Sequence, residues 1–350
     1  MTLLPRKKVH TGRAKQEKLL DACHKLLKEV PIDQDSDLAV EILYAAMRLA
    51  ADHPGRADLK FAIKALKELR YGFKVFRPYL KRKKISVFGS ARTSPNHPDY
   101  LAAMDFGRKI AQAGYMVITG AGGGIMHAAH DGAGKESSFG VAIKLPFEQD
   151  VNPIISGDEK LAYFRYFFSR KIMFVKETHA VALFPGGFGT HDEAFEVLTL
   201  IQTGRTDPMP VVMIEHPGSD YWQKWDQFIR EKLLAGGLIS PSDLSLWTIT
   251  SDTTAAVNYI THFYNNYQSQ RFVRDKLVIR IRRAPNEAQL ESINAEFADL
   301  CDPGRITVST ATDAEPGDPP DTDLARLVLP FNRQSSSRLR MLIDRLNNLD

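Results

Sequence analysis

Short apolar runs that alternate with helical stretches constrain the fold of this chain more than any other feature. Candidate strands lie at residues 85–88, 116–119, 140–144, 180–184, 210–214 and 246–250. Continuous apolar strands separated by helices are typical of a parallel sheet covered on both faces. With right-handed crossovers, the pattern predicts an α/β fold with a Rossmann-like doubly wound parallel sheet. Such sheets bind ligands beyond the carboxyl ends of their strands, so the loops after the strands are the candidate site.

The segments on either side of this pattern have a different texture. Residues 1–80 are predicted to be helical, with helices at 15–28, 38–51 and 57–76. Residues 268–350 combine predicted strands at 276–282, 305–309 and 324–331 with helices at 287–300 and 335–348 and a loop at 310–323. The sequence therefore predicts three parts: a helical N-terminal segment (1–80), a Rossmann-like domain (81–267) and a small α+β C-terminal appendage (268–350).

Composition excludes several classes of protein. The two cysteines, Cys23 and Cys301, match no metal-ligand spacing and fit a reducing compartment. No apolar run approaches the length of a membrane span, and no apolar segment follows the basic N-terminus, so we expect a soluble cytoplasmic protein. The basic runs at 6–8 and 81–84 lack interleaved aromatic residues. We interpret them as solvated charges, and we expect neither a nucleic-acid nor a membrane partner.

Two glycine-rich loops follow predicted strands early in the domain. In the first, Gly89, Ser90 and Arg92 offer amides, a hydroxyl and a counter-charge to a phosphate or ribose, although a tight turn explains this loop equally well. The second loop contains Gly122, Gly123 and Gly124 before a helix, where an anion is favoured. Its spacing is not G-x-G-x-x-G, because residue 125 is isoleucine, and this disfavours a dinucleotide dehydrogenase.

The third glycine-rich loop carries the strongest signal. Gly186, Gly187 and Gly189 separate a buried strand from a helix that we expect to begin at Thr190. Thr190 and Glu193 have the spacing of a capping box, so Glu193 can be explained as a helix cap without chemistry. Three glycines exceed what a cap needs, however, and we interpret them as amides presented to a ligand with Glu193 beside it.

Together these loops resemble the Lonely Guy family, the cytokinin-activating phosphoribohydrolases once labelled lysine decarboxylases. The family motif P-G-G-x-G-T-x-x-E is present without a gap at residues 185–193, and an Arg-Lys pair precedes it at Arg170 and Lys171. Further matches lie at 87–92, 145–149 and 199–204, so the resemblance extends over about 85–260. The chain departs from the commonest relatives at Ala121, Gly123 and His127, which leaves the choice of substrate open.

The resemblance implies hydrolysis of the N-glycosidic bond of a nucleoside 5′-monophosphate, AMP-like or cytokinin-type, to free base and ribose 5-phosphate. The implied catalytic pair is Arg170 and Glu193, with Glu193 as charge stabiliser, base or ribose holder. The residues expected to bind phosphate or substrate are Gly89, Ser90, Arg92, Gly122, Gly123, Gly124, Lys171, Gly186, Gly187, Gly189 and Thr190. We expect no metal, no organic cofactor and a homo-oligomer.

Two other functions remain open from the sequence. The same loops can hold a nucleotide without turnover, as in a nucleotide-sensing protein. A pyridoxal-phosphate decarboxylase is disfavoured, because no lysine stands in a context that suggests a Schiff base.

Overall fold

The computed structural model describes residues 9–30, 35–144, 151–310 and 323–349. By their internal contacts, Met1–Leu69 and Arg70–Asp350 are two compact units. The first contains helices α1 (Val9–Leu27) and α2 (Ser36–Ala51), and helix α3 (Arg56–Phe76) crosses the boundary. The three predicted N-terminal helices are therefore present, with α1 beginning earlier than expected. The basic run at 6–8 and the motif segment at 145–149 lie outside the described residues.

A seven-stranded sheet organises the second unit. Its strands are β1 (Lys84–Phe88), β2 (Met116–Thr119), β3 (Ser138–Ile143), β4 (Leu161–Phe164), β5 (Ala180–Leu183), β6 (Val211–Ile214) and β7 (Trp247–Thr250). They run in the order β4-β3-β2-β1-β5-β6-β7, and every pair is parallel. The predicted Rossmann-like doubly wound sheet is confirmed.

Helices connect most of these strands: α4 (Pro98–Gln112), α5 (Ile125–Ala133), α6 (Phe167–Lys176), α7 (Phe188–Gln202) and α8 (Tyr221–Phe228). Helix α9 (Thr253–Phe263) follows β7. Side chains of the central strands, such as Val87 and Val212, are buried against α4, α5 and α9. The strand order reverses between β1 and β5, which lie side by side at the centre. Ligand crevices form at such a reversal, so the loops after β1 and β5 flank the expected site.

Strand β4 was missing from the sequence prediction. It lies at the edge of the sheet, and its Tyr163 is exposed. Only two residues, Arg165 and Tyr166, separate it from helix α6, so the strand and the start of the helix share one largely apolar run at 161–168. Periodicity does not separate a short strand from a helix within such a stretch.

A second, four-stranded antiparallel sheet follows α9. Its strands are β8 (Tyr267–Val273), β9 (Lys276–Ile281), β10 (Thr307–Ser309) and β11 (Ala325–Leu329), in the order β10-β11-β9-β8. Helices α10 (Glu287–Glu296) and α11 (Ser336–Asn347) complete this α+β part. The prediction missed β8, whose polar centre hides the strand pattern, and it extended α10 too far. Most of the predicted loop at 310–323 lies outside the described residues.

Buried cations tie this C-terminal part to the parallel sheet. Arg340 on α11 is fully buried and donates to the carbonyl of Met209 (3.0 Å) and the hydroxyl of Tyr259 (2.7 Å). The Lys83 ammonium lies 3.9 Å from the centroid of the Tyr264 ring, and Lys84 is buried. The expectation of a solvated charge run at 81–84 is therefore wrong for its second half: the Tyr264 ring, which follows α9, lies over Lys83, and Lys84 pairs with the buried Glu177 (3.8 Å). Within the described ranges, none of the helices is both long and apolar enough to cross a bilayer.

Candidate functional site

Backbone hydrogen bonds join the three glycine-rich loops at the carboxyl edge of the sheet. The amide of Ser90 donates to the carbonyl of Pro185 (3.0 Å), and the amide of Ile125 donates to the carbonyl of Ser90 (3.0 Å). Gly124 has a φ of +59°, and a Cβ added there would collide with the backbone of Ser90. Glycine is therefore required where the second loop crosses the first.

These loops form one wall of a cleft with a volume of about 860 Å³. The predicted residues that line it are Gly89, Ser90, Arg92, Arg170, Gly186, Gly187, Gly189, Thr190 and Glu193. The structure thus brings nine of the predicted site residues together, from the loops after β1 and β5 and from the helices α6 and α7.

The beginning of α7 provides the cleft with unpaired amides. Helix α7 starts at Phe188 with Gly187 as its N-cap, and none of the described side chains caps it. Among the described residues, none accepts a hydrogen bond from the amides of Gly187, Phe188 or Gly189. Free amides and the positive end of the helix dipole favour an anion at this position.

The predicted capping box is wrong. Because α7 begins at Phe188, Thr190 lies inside the first turn and its side chain packs beneath Gly186. Glu193 lies in the second turn, beyond reach of the free amides that a capping carboxylate would accept from. The explanation of Glu193 as a helix cap is thereby removed.

Glu193 is instead a buried carboxyl group facing the cleft. Its side chain is only 5% exposed, and its Oε2 has no hydrogen-bond partner in the part of the chain that the structure describes. Burial raises the pKa of Glu193 to about 7, against the opposing charges of Lys171 and Arg170. A carboxyl group with a pKa near neutrality in a cleft is a candidate for acid, base or electrostatic chemistry.

Arg170 lies close enough to Glu193 for its charge to lower the carboxyl pKa. Its Nε donates to the carbonyl of Val141 (2.8 Å), and its guanidinium carbon lies 5.0 Å from the centroid of the Phe174 ring. The guanidinium also packs against Gly120, where any side chain would displace it. Burial lowers the pKa of Arg170, and the charge of Glu193 opposes this effect. These contacts hold a cation in the cleft wall, where it can pair with an oxyanion.

Lys171 turns away from the cleft. Its ammonium lies 2.8 Å from Asp192 Oδ2 and 2.8 Å from Glu196 Oε2, which bridges α6 to α7. Lys171 does not line the cleft among the described residues. Its contact with substrate stays a prediction, and the contacts that it makes join the two helices that carry Arg170 and Glu193.

The second glycine-rich loop contributes less lining than expected. Gly120 and Met126 line the cleft, whereas the three predicted glycines of this loop, Gly122, Gly123 and Gly124, are not among the residues that line it. Asn152 stabilises this loop with two hydrogen bonds. Its side-chain amide donates to the carbonyl of Gly122 (3.1 Å), and its backbone amide donates to the carbonyl of Ala121 (2.8 Å). The unusual His127 faces Tyr100, with its Nδ1 3.3 Å from the tyrosine hydroxyl.

Sequence reasoning missed several aromatic side chains that line the cleft, among them two exposed phenylalanines. Phe167 is 54% exposed and Phe188 is 97% exposed. Phe188 occupies the variable position of the glycine motif, which was the one available signal. Exposed rings beside a polar cradle are suited to contact an aromatic base.

Three potential metal ligands come together elsewhere, although no metal site was expected. Ligand atoms of His97, Asp99 and His216 lie within 4.8 Å of one another. Hydrogen bonds account for this cluster: Asp99 accepts from the amide (3.0 Å) and ring (2.8 Å) of His216, and its own amide donates to His97 (3.1 Å). These contacts link the end of β6 to the start of α4.

The fold and the cleft define a class: a protein with a Rossmann-like sheet and a glycine-rich anion cradle at the reversal of strand order. Residues 123–260 match the family model described as "Possible lysine decarboxylase". A curated relative, "Cytokinin riboside 5′-monophosphate phosphoribohydrolase LOG3" of Arabidopsis thaliana, is 27% identical over 167 residues, which are 46% of this chain and 74% of that protein. The resemblance to the Lonely Guy family is confirmed, and the matched residues include Arg170 and Glu193.

Solved structures of other proteins are similar to part of this chain. The molybdenum cofactor carrier protein of Chlamydomonas reinhardtii is 21% identical with a TM-score of 0.36, covering 51% of this chain and 96% of that chain. DNA processing protein A of Helicobacter pylori is 14% identical with a TM-score of 0.35, covering 51% of this chain and 80% of that chain.

Proposed function

We propose that this protein hydrolyses the N-glycosidic bond of a nucleoside 5′-monophosphate, releasing the free base and ribose 5-phosphate. The observation that carries the proposal is the buried Oε2 of Glu193, which has no hydrogen-bond partner among the described residues, in a cleft that also holds the amides at the start of α7. The name of the curated relative, a phosphoribohydrolase, supports the same reaction.

The amides at the start of α7 suit the 5′-phosphate. Gly187, Phe188 and Gly189 present backbone amides at the positive end of the helix. Ser90 and Arg92 of the first loop line the same cleft. Backbone amides bind a phosphate without the conformational entropy loss of long side chains. With the phosphate held there, the ribose extends towards Glu193, one turn further along the same helix.

Glu193 supplies the charge that the reaction needs. Breaking the bond from the anomeric carbon to the base develops positive charge on the ribose, as in other glycoside hydrolyses. A carboxylate near that carbon stabilises the charge, holds a ribose hydroxyl or takes a proton from the attacking water. The water adds to the anomeric carbon, and the base leaves with a proton. Arg170, held by Val141 and Gly120, orients the substrate or its phosphate and favours the ionised form of Glu193.

The proposal extends to a cytoplasmic homo-oligomer that acts on an AMP-like or cytokinin-type nucleotide. Apolar side chains on α6 and α7, at Phe168, Ile172 and Phe195, are exposed and suit self-association. The free thiols of Cys23 and Cys301 suit a reducing compartment. The mass in solution, measured by light scattering, tests the assembly: a monomer at micromolar concentration would contradict it.

The decisive experiment incubates the purified protein with a panel of purine, pyrimidine and cytokinin-type nucleoside monophosphates and measures ribose 5-phosphate. We expect product with at least one of them, and we expect Glu193→Gln to lower turnover by about 100-fold or more. Glu196→Gln is the matched control, because this residue lies on the same helix and pairs with Lys171 outside the cleft.

The alternatives give different results in the same experiment. Nucleotide binding without product across the panel would reject hydrolysis and favour a nucleotide sensor. Bound pyridoxal phosphate in the purified protein, seen by its visible absorbance, would favour the decarboxylase that the family model's description names. Normal turnover by Glu193→Gln would refute the catalytic role of this residue.

A further inference from the structure

We propose that Tyr221 and His191 are positioning residues, which fix the peptide between Gly186 and Gly187 so that its amide faces the bound phosphate. The inference deepens the proposed function and rests on it, because it takes the third glycine-rich loop as the phosphate site. Neither residue was among the predicted site residues.

The hydrogen bonds around the Tyr221 hydroxyl have a fixed direction. This hydroxyl lies 2.5 Å from the carbonyl oxygen of Gly186 and 2.7 Å from Nε2 of His191. A carbonyl oxygen only accepts, and a tyrosine hydroxyl has a single hydrogen. The hydroxyl therefore donates to Gly186 and accepts from a protonated Nε2 of His191. His191 thus keeps the tyrosine hydrogen directed at the loop.

Fixing the Gly186 carbonyl also fixes the amide of Gly187. The two groups belong to one planar trans peptide, in which the C=O and N–H bonds point in opposite directions. The carbonyl points to Tyr221, which lies outside the cleft lining, whereas both glycines line the cleft. The Gly187 amide accordingly points away from Tyr221, and it has no acceptor among the described residues.

A peptide between two glycines needs such an external constraint. Glycine permits backbone conformations that other residues avoid, so this peptide can rotate with little steric resistance. A rotated peptide would direct the Gly186 carbonyl, with its negative partial charge, at the phosphate. The hydrogen bond from Tyr221 prevents that orientation, which raises the affinity for phosphate by preorganisation.

Contacts with α8 and its neighbours hold Tyr221 in position. It is the first residue of α8, whose start is fixed by Glu215: the Oε2 of this carboxylate accepts from the amide of Trp222 (2.9 Å) and the hydroxyl of Ser219 (3.0 Å). The Tyr221 ring lies against Trp222, at 4.9 Å between centroids, and against His191, at 5.9 Å. The contact with Trp222 and the fixed start of α8 therefore hold the hydroxyl in place independently of its hydrogen bond to Gly186.

The test compares ligands that contain a phosphate with a ligand that lacks one. Isothermal titration of the full chain measures the affinity for AMP, ribose 5-phosphate and adenosine before and after Tyr221→Phe. We expect affinity for AMP and ribose 5-phosphate to fall about 10-fold, the effect of one oriented hydrogen bond, with adenosine unchanged. His191→Phe, which retains a ring without the donor, should give a smaller loss with the same ligand pattern.

Tyr264→Phe is the matched control. It removes an equally short bond, 2.5 Å from the hydroxyl to the carbonyl of His179, at a position outside the cleft lining. We expect this variant to bind all three ligands normally. It shows whether loss of a buried tyrosine hydroxyl by itself weakens binding.

Three results separate failure of this inference from failure of the proposed function. Equal affinity of Tyr221→Phe and the unsubstituted protein for AMP, or an equal loss for adenosine, would overturn the positioning role alone. An unsubstituted protein that binds AMP and ribose 5-phosphate but releases no base would overturn hydrolysis and leave the positioning role standing. A protein that binds neither phosphate compound would overturn both.

Discussion

Replacing Glu193 with glutamine should stabilise the protein above neutral pH while removing its proposed catalytic group. The carboxyl group is buried, and one of its oxygens has no partner among the described residues. Ionising it in this environment is unfavourable because desolvation opposes the charged form. Glutamine has nearly the same shape and carries no charge, so the substitution removes this cost without leaving a cavity.

The size and sign of the effect follow from the pKa. Burial raises the pKa of Glu193 to about 7 in the folded state, from an ordinary value of 4.5. Between these values the folded state holds the proton more tightly than the unfolded state does, so the stability from this group declines as the pH rises from 4.5 to 7. Above pH 7 the ionised carboxylate costs the folded state about 3 kcal/mol.

Thermal unfolding from pH 4.5 to pH 8 measures the difference between the two proteins. We expect similar melting temperatures near pH 4.5 and a gain for Glu193→Gln at pH 8 of several degrees, at roughly 2 °C for each kcal/mol in a unit of this size. Glu196→Gln should show no such gain, because it breaks the ion pair with Lys171. A difference that does not vary with pH, or a glutamine variant less stable at pH 8, would refute the reasoning.

Two further substitutions test the packing that supports the site. In urea unfolding, Gly124→Ala should destabilise the protein by about 2 kcal/mol more than Gly134→Ala. Both glycines have a positive φ, but of the two only Gly124 lacks space for a Cβ. Equal losses would show that the crossing of the first two loops tolerates a side chain. Arg340→Met should cost roughly 2–4 kcal/mol, because it leaves the buried carbonyl of Met209 and the Tyr259 hydroxyl unpaired. An unchanged free energy of unfolding for Arg340→Met would refute the proposed contribution of these hydrogen bonds to stability.

Much of the fold could be predicted because its strands are nearly all buried. Strands such as β1 and β6 are continuous apolar runs bounded by helices, which is the pattern that a parallel sheet covered on both faces produces. The two strands that were missed, β4 and β8, lie at sheet edges and are partly exposed. Their sequences carry no clean period, since solvent on one side relaxes the requirement for apolar side chains.

The candidate site was predictable wherever one segment carried the whole signal. The run from Gly186 to Glu193 contains its amides and its carboxylate within a single strand-to-helix turn. The long-range parts were not predictable, because they depend on contacts between distant segments. Tyr221 reaches Gly186 across 35 residues, and Asn152 reaches Gly122 across 30. No periodic pattern in the sequence relates residues that lie 30 or 35 positions apart. Tyrosine and asparagine are also common at helix surfaces and in loops, so neither residue is conspicuous in the sequence.

The position at which α7 begins decides what Glu193 can do. A helix that started at Thr190 would place Glu193 in the first turn, where its carboxylate would accept from free amides and have a low pKa. The helix begins two residues earlier, at Phe188, so those amides remain available to an anion, and the buried Oε2 of Glu193 has no partner in the part of the chain that the structure describes. The same shift that leaves the phosphate donors free therefore raises the pKa of the carboxyl group. Anion binding and carboxyl chemistry at this site are two consequences of one helix boundary.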